Sequence, residues 1–115
     1  MESNFHPPFV LLAEDDAAVR KTLTSFFEHA GWRYDVVVDG KSGLNAAEKR
    51  NYDVIISDYQ MPELNGLEFL RSLRAIKPHQ AFIVLSSAAT PEEALEILRQ
   101  GAADLVQKPV DIASL

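Results

Sequence analysis

The sequence predicts an α/β domain in which a five-stranded parallel sheet is covered by helices on both faces. Five short apolar or β-branched runs alternate along the chain with segments whose apolar residues keep helical spacing. Glycine, proline and acidic residues mark the junctions between these segments. Strands that alternate with helices pair in parallel through right-handed crossovers. The pattern leaves the order of the strands open.

Five runs of strand length form the predicted sheet. They are rich in β-branched and other apolar residues, as buried strands are. A lead-in over residues 1–8 precedes the first run, and Pro7 and Pro8 favour an extended backbone there. The predicted strands cover Phe9–Ala13 and residues 34–38, 53–57, 82–85 and 103–106.

Four helices are predicted between the strands. The first ends at Gly31, the second covers about residues 41–50 and the third about residues 66–75. The fourth begins at Pro91, behind Thr90 as its N-cap, and stops before a glycine. Apolar residues keep helical spacing in the first two helices: Val19, Leu23, Phe26, Phe27 and Ala30 in the first, and Leu44 and Ala47 in the second. Leu67, Leu70 and Leu73 are expected to be buried in the third helix, and Leu95 and Leu98 to anchor the fourth.

Composition limits the classes of function. A chain of 115 residues suits one domain with a single sizeable core. The net charge of −6 argues against direct nucleic-acid binding, and the absence of cysteine excludes disulfides and thiolate metal sites. The sequence contains neither a secretory signal nor an apolar run long enough for a membrane helix. We therefore expect a cytoplasmic protein without membrane or nucleic-acid partners.

Polar residues with complementary chemistry follow four of the five predicted strands. Glu14 and Asp15 follow the first strand, Asp58 the third, Ser86 the fourth and Lys108 the fifth. Because the carboxyl ends of parallel strands meet at one edge of a sheet, these side chains should lie together. Oxygen ligands suit Mg²⁺, and an aspartate beside a cation, an ammonium group and a hydroxyl could accept a phosphoryl group.

Taken singly, each of these residues also has a structural interpretation. Asp15 or Asp16 could cap the first helix, and Asp58 could be a turn residue. Ser86 could bond only to backbone, and Lys108 could be a solvated surface charge. Their conjunction at successive strand ends favours the functional interpretation. We expect surface positions for His6, His29 and His79, and a core or core-edge position for Trp32.

These residues resemble the receiver domain of two-component response regulators. The resemblance covers residues 9–110 and consists of four motifs in sequence order. They are Glu14-Asp15, the stretch from Ser57 to Pro62 with Gly66, Ser86, and Lys108-Pro109. The resemblance implies a flavodoxin-like, doubly wound, five-stranded fold and a phospho-accepting signalling domain rather than an enzyme that turns over substrate.

The resemblance also implies roles for individual residues. Asp58 would accept the phosphoryl group from a histidine kinase or a phosphotransfer protein. Lys108 would hold a phosphoryl oxygen, and Ser86 would move toward the phosphate. The surface around strand four, helix four and strand five would then change for a partner to detect.

A magnesium site is implied in the same way. Asp15, Asp58 and the backbone carbonyl of Gln60 would bind Mg²⁺, and Glu14 would act through a water molecule. A cis peptide bond is expected between Lys108 and the proline that follows it.

Several positions depart from the usual receiver pattern. Leu105 stands where many receivers have the tyrosine or phenylalanine that swings inward on activation. Val110 replaces a more common phenylalanine, and Gln60 and Ala88 lie at positions that tune the lifetime of the phosphate in this family.

The end of the chain carries further expectations. We expect residues 9–115 to be a receiver domain truncated before or within its last helix, which would begin after Asp111. An output domain is expected beyond Leu115, and homodimer formation is a further expectation.

Two other functions compete with the phosphorylation switch. A degenerate receiver would act as an interaction module independent of phosphorylation. The acidic pair, Asp58 and Lys108 argue against this alternative, and Leu105 keeps it open. A Mg²⁺-dependent phosphatase would use the same aspartate chemistry, but that class carries an Asp-x-Asp pair on its first strand. This chain has Glu14-Asp15-Asp16 there.

Overall fold

A computed structural model describes residues 6–87 and 89–108 of the chain. The five predicted strands and the four helices predicted between them are present, with ends that differ from the prediction by one residue at most. The elements in chain order are β1 (Phe9–Ala13), α1 (Ala17–Ala30), β2 (Arg33–Val37), α2 (Gly40–Lys49), β3 (Val54–Asp58), α3 (Gly66–Arg74), β4 (Phe82–Ser86), α4 (Pro91–Arg99) and β5 (Asp104–Gln107).

The five strands form one parallel sheet in the order β2-β1-β3-β4-β5. This order, which the sequence pattern left open, is that of the flavodoxin-like fold and confirms the fold implied by the resemblance. β3 is the central strand, with β1 and β4 as its neighbours. The carboxyl ends of β1, β3, β4 and β5 therefore lie along the same edge of the sheet.

Two hydrophobic clusters hold the helices against the sheet. Successive residues of β1 alternate between them, because side chains of a strand point to opposite faces. Leu11 belongs to the cluster that includes buried residues of α2, α3 and α4, whereas Leu12 belongs to the cluster that includes α1. Trp32 lies at the edge of the second cluster and stacks on Phe27, with ring centroids 5.7 Å apart, as expected for a core-edge residue.

Short polar side chains begin the helices at the expected junctions. Asp16, and not Asp15, caps α1, since its side chain accepts hydrogen bonds from two backbone amides of the first turn. Asp39 caps α2, since its side chain accepts a hydrogen bond from the amide of Ser42. α1 ends at Gly31, whose φ of 75° is the left-handed conformation that glycine favours. Asp15 is thereby left without a capping role.

The prediction for the buried face of α4 was wrong. Leu95 and Leu98 are 50% and 49% exposed, whereas Ile97 is fully buried. Both leucines lie at helical spacing, but so do other apolar residues of this short helix, and spacing alone could not decide which side faces the sheet. In α3, Leu70 and Leu73 are buried as predicted, Phe69 is buried as well, and Leu67 is only partly buried.

Several other expectations can be compared with the structure. His6, His29 and His79 are exposed, as predicted. No helix among the described residues is long and apolar enough to span a membrane. The expectations about Ala88, Val110, the last helix and the peptide bond before Pro109 concern residues outside the described ranges.

Candidate functional site

An open polar cleft of about 590 Å³ lies at the carboxyl edge of the sheet. Asp15, Asp58, Gln60, Ser86 and Lys108 all line it. These are five of the six residues to which the sequence assigned roles in the site. The sixth, Glu14, is fully buried next to the cleft, within ion-pair distance of Lys108.

Backbone hydrogen bonds continue past the strand ends and hold the cleft residues in place. The amide of Glu14 donates to Val37 (3.0 Å), so the β1–β2 pairing extends one residue beyond β1. The amide of Lys108 donates in the same way to Ser86 (2.8 Å), beyond the end of β5. Asp58 is the last residue of β3 and is 6% exposed. The parallel ladder therefore positions the acidic residues and the lysine.

One ammonium group contacts two carboxylates. Nζ of Lys108 lies 2.9 Å from Oε1 of Glu14 and 3.2 Å from Oδ2 of Asp58. The contact with Glu14 is an ion pair without hydrogen-bond geometry, so this buried Oε1 has no hydrogen-bond donor among the described residues. The cluster contains two carboxylates for one ammonium even before Asp15 is counted.

Burial and charge act against each other in this cluster. Burial raises the pKa of Glu14 to about 7, the contact with Lys108 lowers it, and Asp58 raises it further. Burial acts to lower the pKa of Lys108, but its close contacts with the carboxylates of Glu14 and Asp58 outweigh this effect, so this pKa is raised. Lys108 therefore stays charged, whereas metal-free Glu14 is poised between its two protonation states near neutral pH.

The cleft fits a hard divalent cation. Carboxylate oxygens of Glu14, Asp15 and Asp58 lie within 4.8 Å of one another. The Asp15 side chain is exposed to the cleft, and Oε1 of Glu14 lacks a hydrogen bond. The donor set consists of oxygen atoms, which Mg²⁺ prefers. A cation would also offset the repulsion among the three carboxylates.

The connection between β3 and α3 forms one wall of the cleft. Met61 and Leu64 pack against the hydrophobic cluster that contains residues of α3. Gly66 lies so close to the end of β3 that a Cβ atom there would be 2.5 Å from the carbonyl oxygen of Asp58. This connection is therefore seated tightly against the strand that carries Asp58.

Leu105 lies on the other side of Ser86. It is partly buried on β5 and lines a second cavity of about 220 Å³ together with Ser86, Ala89 and Gln107. Leu105, which stands in place of the aromatic residue of many receivers, therefore lies directly beside the cleft.

The sequence analysis assigned neither Tyr59 nor Glu93 a role in the site. Tyr59 lines the cleft, and its hydroxyl donates a hydrogen bond of 2.6 Å to Oε2 of Glu93 in α4. The position of Tyr59 directly after Asp58 was a signal that this residue would lie at the site. Nothing in the sequence pattern pairs it with a residue 34 positions later.

The fold and the cleft were compared with known proteins. A sequence profile described as the response regulator receiver domain matches residues 10–115. The chain is 33% identical to the transcriptional activator protein PfeR of Pseudomonas aeruginosa, over 94% of this chain and 35% of that protein. This chain thus spans about a third of the length of that curated relative.

Solved structures of receiver domains superpose closely. The receiver domain of the Francisella response regulator 1452 is 36% identical, with a TM-score of 0.86 over 93% of this chain and 88% of that chain. The receiver domain of the sensor histidine kinase PA1611 from Pseudomonas aeruginosa is 27% identical, with a TM-score of 0.85 over 95% of this chain and 91% of that chain. The latter structure has a magnesium ion coordinated in its active site cleft.

Proposed function

Since the chain belongs to the response regulator receiver domain family, whose general function is to accept a phosphoryl group, we propose that Asp58 is its acceptor. The observation that carries the proposal is the contact of one ammonium, Lys108 Nζ, with both Asp58 and the buried Glu14. A carboxylate held at a cleft mouth, beside a fixed cation and further acidic ligands, has the surroundings that phosphoryl transfer requires.

In the proposed reaction an oxygen of Asp58 attacks the phosphorus of a phosphohistidine. A new O–P bond forms, the P–N bond breaks, and the histidine nitrogen retains the electron pair. Lys108 neutralises part of the charge on the phosphoryl oxygens, and the Ser86 hydroxyl turns toward them. The chain supplies position and charge, and the phosphodonor supplies the reactive bond.

Three groups are proposed to hold Mg²⁺: the side chains of Asp15 and Asp58 and the backbone carbonyl of Gln60. Glu14, which is buried behind them, would act through a water molecule. When bound, the cation supplies charge stabilisation for the transferring phosphoryl group. The oxygens of Glu14, Asp15 and Asp58 within 4.8 Å of one another support this assignment.

The partners follow from the same reaction. We propose that a sensor histidine kinase or a phosphotransfer protein is the donor, and that an output domain beyond Leu115 responds to phosphorylation. The greater length of PfeR, a transcriptional activator, supports an output region of that kind. Exchange with a kinase that uses ATP would place the protein in the cytoplasm. We also propose that the protein can form a homodimer. The surface that phosphorylation changes is formed by β4, α4 and β5.

The domain is proposed to act as a switch and not as an enzyme with an external substrate. Its nucleophile candidate ends β3, whereas the phosphatase alternative requires its paired aspartates on the first strand. In this chain the aspartate that would complete such a pair, Asp16, caps α1. If the following experiment detects no phosphoryl adduct on the wild type, it would favour an interaction module that is independent of phosphorylation.

The test is the intact mass of the chain after incubation with acetyl phosphate and Mg²⁺. We expect a metal-dependent phosphoryl adduct on the wild type and none on Asp58→Asn. Asp16→Asn is the matched control, because Asp16 also lines the cleft and asparagine preserves its helix cap. An adduct on Asp58→Asn, or none on the folded wild type with Mg²⁺ bound, would contradict the proposal.

A further inference from the structure

A side-chain hydrogen bond joins the wall of the cleft to the start of α4. The hydroxyl of Tyr59 donates to Oε2 of Glu93 over 2.6 Å. Tyr59 directly follows Asp58, and Glu93 lies in the first turn of the helix whose other side exposes Leu95 and Leu98. The bond therefore links the residue next to the proposed acceptor with a helix that bears exposed apolar side chains.

The Tyr59 end of this link is held firmly. Its amide donates to the carbonyl of Leu85 in β4 (2.8 Å), and its carbonyl accepts from the amide of Gly66 at the start of α3 (2.7 Å). Its ring is partly buried and packs against the hydrophobic cluster. Because both backbone groups are hydrogen-bonded and the ring is packed, the Tyr59 hydroxyl should move together with the end of β3.

The Glu93 end is held equally well. Glu93 and Thr90 form a reciprocal capping box, in which Glu93 Oε1 accepts from the amide of Thr90 and the Thr90 hydroxyl accepts from the amide of Glu93. The two oxygens of one carboxylate thus serve two different tasks, since Oε1 caps α4 and Oε2 receives Tyr59. A displacement of Tyr59 must either carry the first turn of α4 with it or break the bond.

The charge of Glu93 strengthens the link. The backbone hydrogen bond from Thr90 and then the bond from Tyr59 lower the pKa of this carboxyl, so it is ionised at neutral pH. A hydroxyl that donates to a carboxylate makes a charge-assisted hydrogen bond, which is stronger than one between neutral groups.

We propose that Tyr59 is a positioning residue whose hydrogen bond to Glu93 couples the state of Asp58 to the position of α4. The inference rests on the proposed function of Asp58. A phosphoryl group on Asp58 occupies the cleft that Tyr59 lines, and the rigid connection through Tyr59 transmits the resulting displacement to the helix. Because residue 105 on β5 is a leucine, this chain has no aromatic side chain at the position that swings inward in many receivers. Tyr59 supplies a separate connection from the cleft to α4.

The test compares Tyr59→Phe with Tyr52→Phe. The control is matched, because Tyr52 also donates its hydroxyl to a carboxylate, Oδ2 of Asp35, over 2.7 Å. Hydrogen exchange of the α4 amides is measured with and without acetyl phosphate and Mg²⁺, and intact mass reports the adduct in each sample.

Without phosphodonor, Tyr59→Phe should speed exchange of the α4 amides about fivefold, the effect of losing one hydrogen bond. With phosphodonor, Tyr59→Phe should still form the adduct, but phosphorylation should no longer change α4 exchange. Tyr52→Phe should match the wild type in α4 in both states. In the Glu93→Ala background, replacing Tyr59 by Phe should have no further effect, because the shared bond is already lost.

Two results would overturn the inference in distinguishable ways. An adduct on the wild type together with an unchanged α4 response in Tyr59→Phe would exclude the coupling role while leaving the proposed function intact. Absence of the adduct on the wild type would overturn the proposed function, and the coupling with it.

Discussion

Lys108 Nζ lies 2.9 Å from Oε1 of Glu14, a carboxylate with no solvent-exposed surface. Glu14 follows β1 and Lys108 follows β5, on opposite sides of the central β3–β4 pair. Their ion pair connects the ends of β1 and β5 at the carboxyl edge of the sheet. Asp58, at the end of β3 between these strands, contacts the same ammonium group. The buried pair is therefore central both to stability and to the charge balance of the cleft.

Lys108→Ala should lower the free energy of unfolding by about 3 kcal/mol without Mg²⁺, because it leaves a buried carboxylate without its partner. Mg²⁺ should restore part of this loss. Some adduct on Asp58 should still form, with a weaker structural response. Urea unfolding with and without Mg²⁺ measures the effect. Lys77→Ala is the control, because the ammonium of Lys77 donates to the carbonyl of Arg50 and to the side chain of Asn51, which are both uncharged acceptors. Equal losses in the two variants would contradict this account of the pair.

Gly66→Ala should destabilise the domain by about 2 kcal/mol and slow adduct formation. An added Cβ would lie 2.5 Å from the carbonyl oxygen of Asp58 and 3.0 Å from Cα of Tyr59, so the end of β3 must shift. Gly31→Ala separates this effect from backbone strain. No atom of residues 6–87 or 89–108 beyond its chain neighbours lies within 4 Å of a Cβ there, whereas its left-handed φ of 75° disfavours alanine. Thermal unfolding and the rate of adduct formation should show that only Gly66→Ala affects the site.

Ile97→Ala should lower the free energy of unfolding by about 2–4 kcal/mol, because the side chain is fully buried between α4 and the sheet. Leu95→Ala removes a similar side chain that is half exposed, and it should cost about 0.5 kcal/mol or less. Chemical denaturation of the two variants checks the observed orientation of α4. A larger loss for Leu95→Ala than for Ile97→Ala would show that the helix is turned the other way.

Alkaline pH should destabilise the domain through Tyr52. Burial and then the hydrogen bond to Asp35 raise the pKa of Tyr52 from 10 to about 12. Since the folded state holds this proton more tightly than the unfolded state, the contribution of Tyr52 is fully present below pH 10 and is lost as the pH rises toward 12. The loss should be on the order of 2 kcal/mol.

The comparison with Tyr52→Phe isolates this contribution, because Phe has no proton to lose. The difference in unfolding free energy between the wild type and the variant should shrink between pH 10 and pH 12. A difference that stays constant over this range would contradict the raised pKa.

The sequence by itself determined the secondary structure and the chemistry of the site. Runs of apolar residues, the cap Thr90 and the helix stop at Gly31 are local signals, and the backbone follows them as predicted. Parallel pairing then brings every strand's carboxyl end to one edge. The strand-end residues Glu14, Asp15, Asp58, Ser86 and Lys108 could therefore be assigned to one site from the sequence, and the resemblance to receiver domains added Gln60.

Only the tertiary structure decided which contacts these elements make. Strand order, the burial of Ile97 in place of Leu95, and the choice of Asp16 as the cap depend on how surfaces distant in sequence fit together. The Tyr59–Glu93 hydrogen bond depends on that fit as well, since it spans 34 positions and no periodic pattern encodes it. Local patterns specify which residues are apolar, polar or turn-forming, whereas packing of whole elements sets the distances between their side chains.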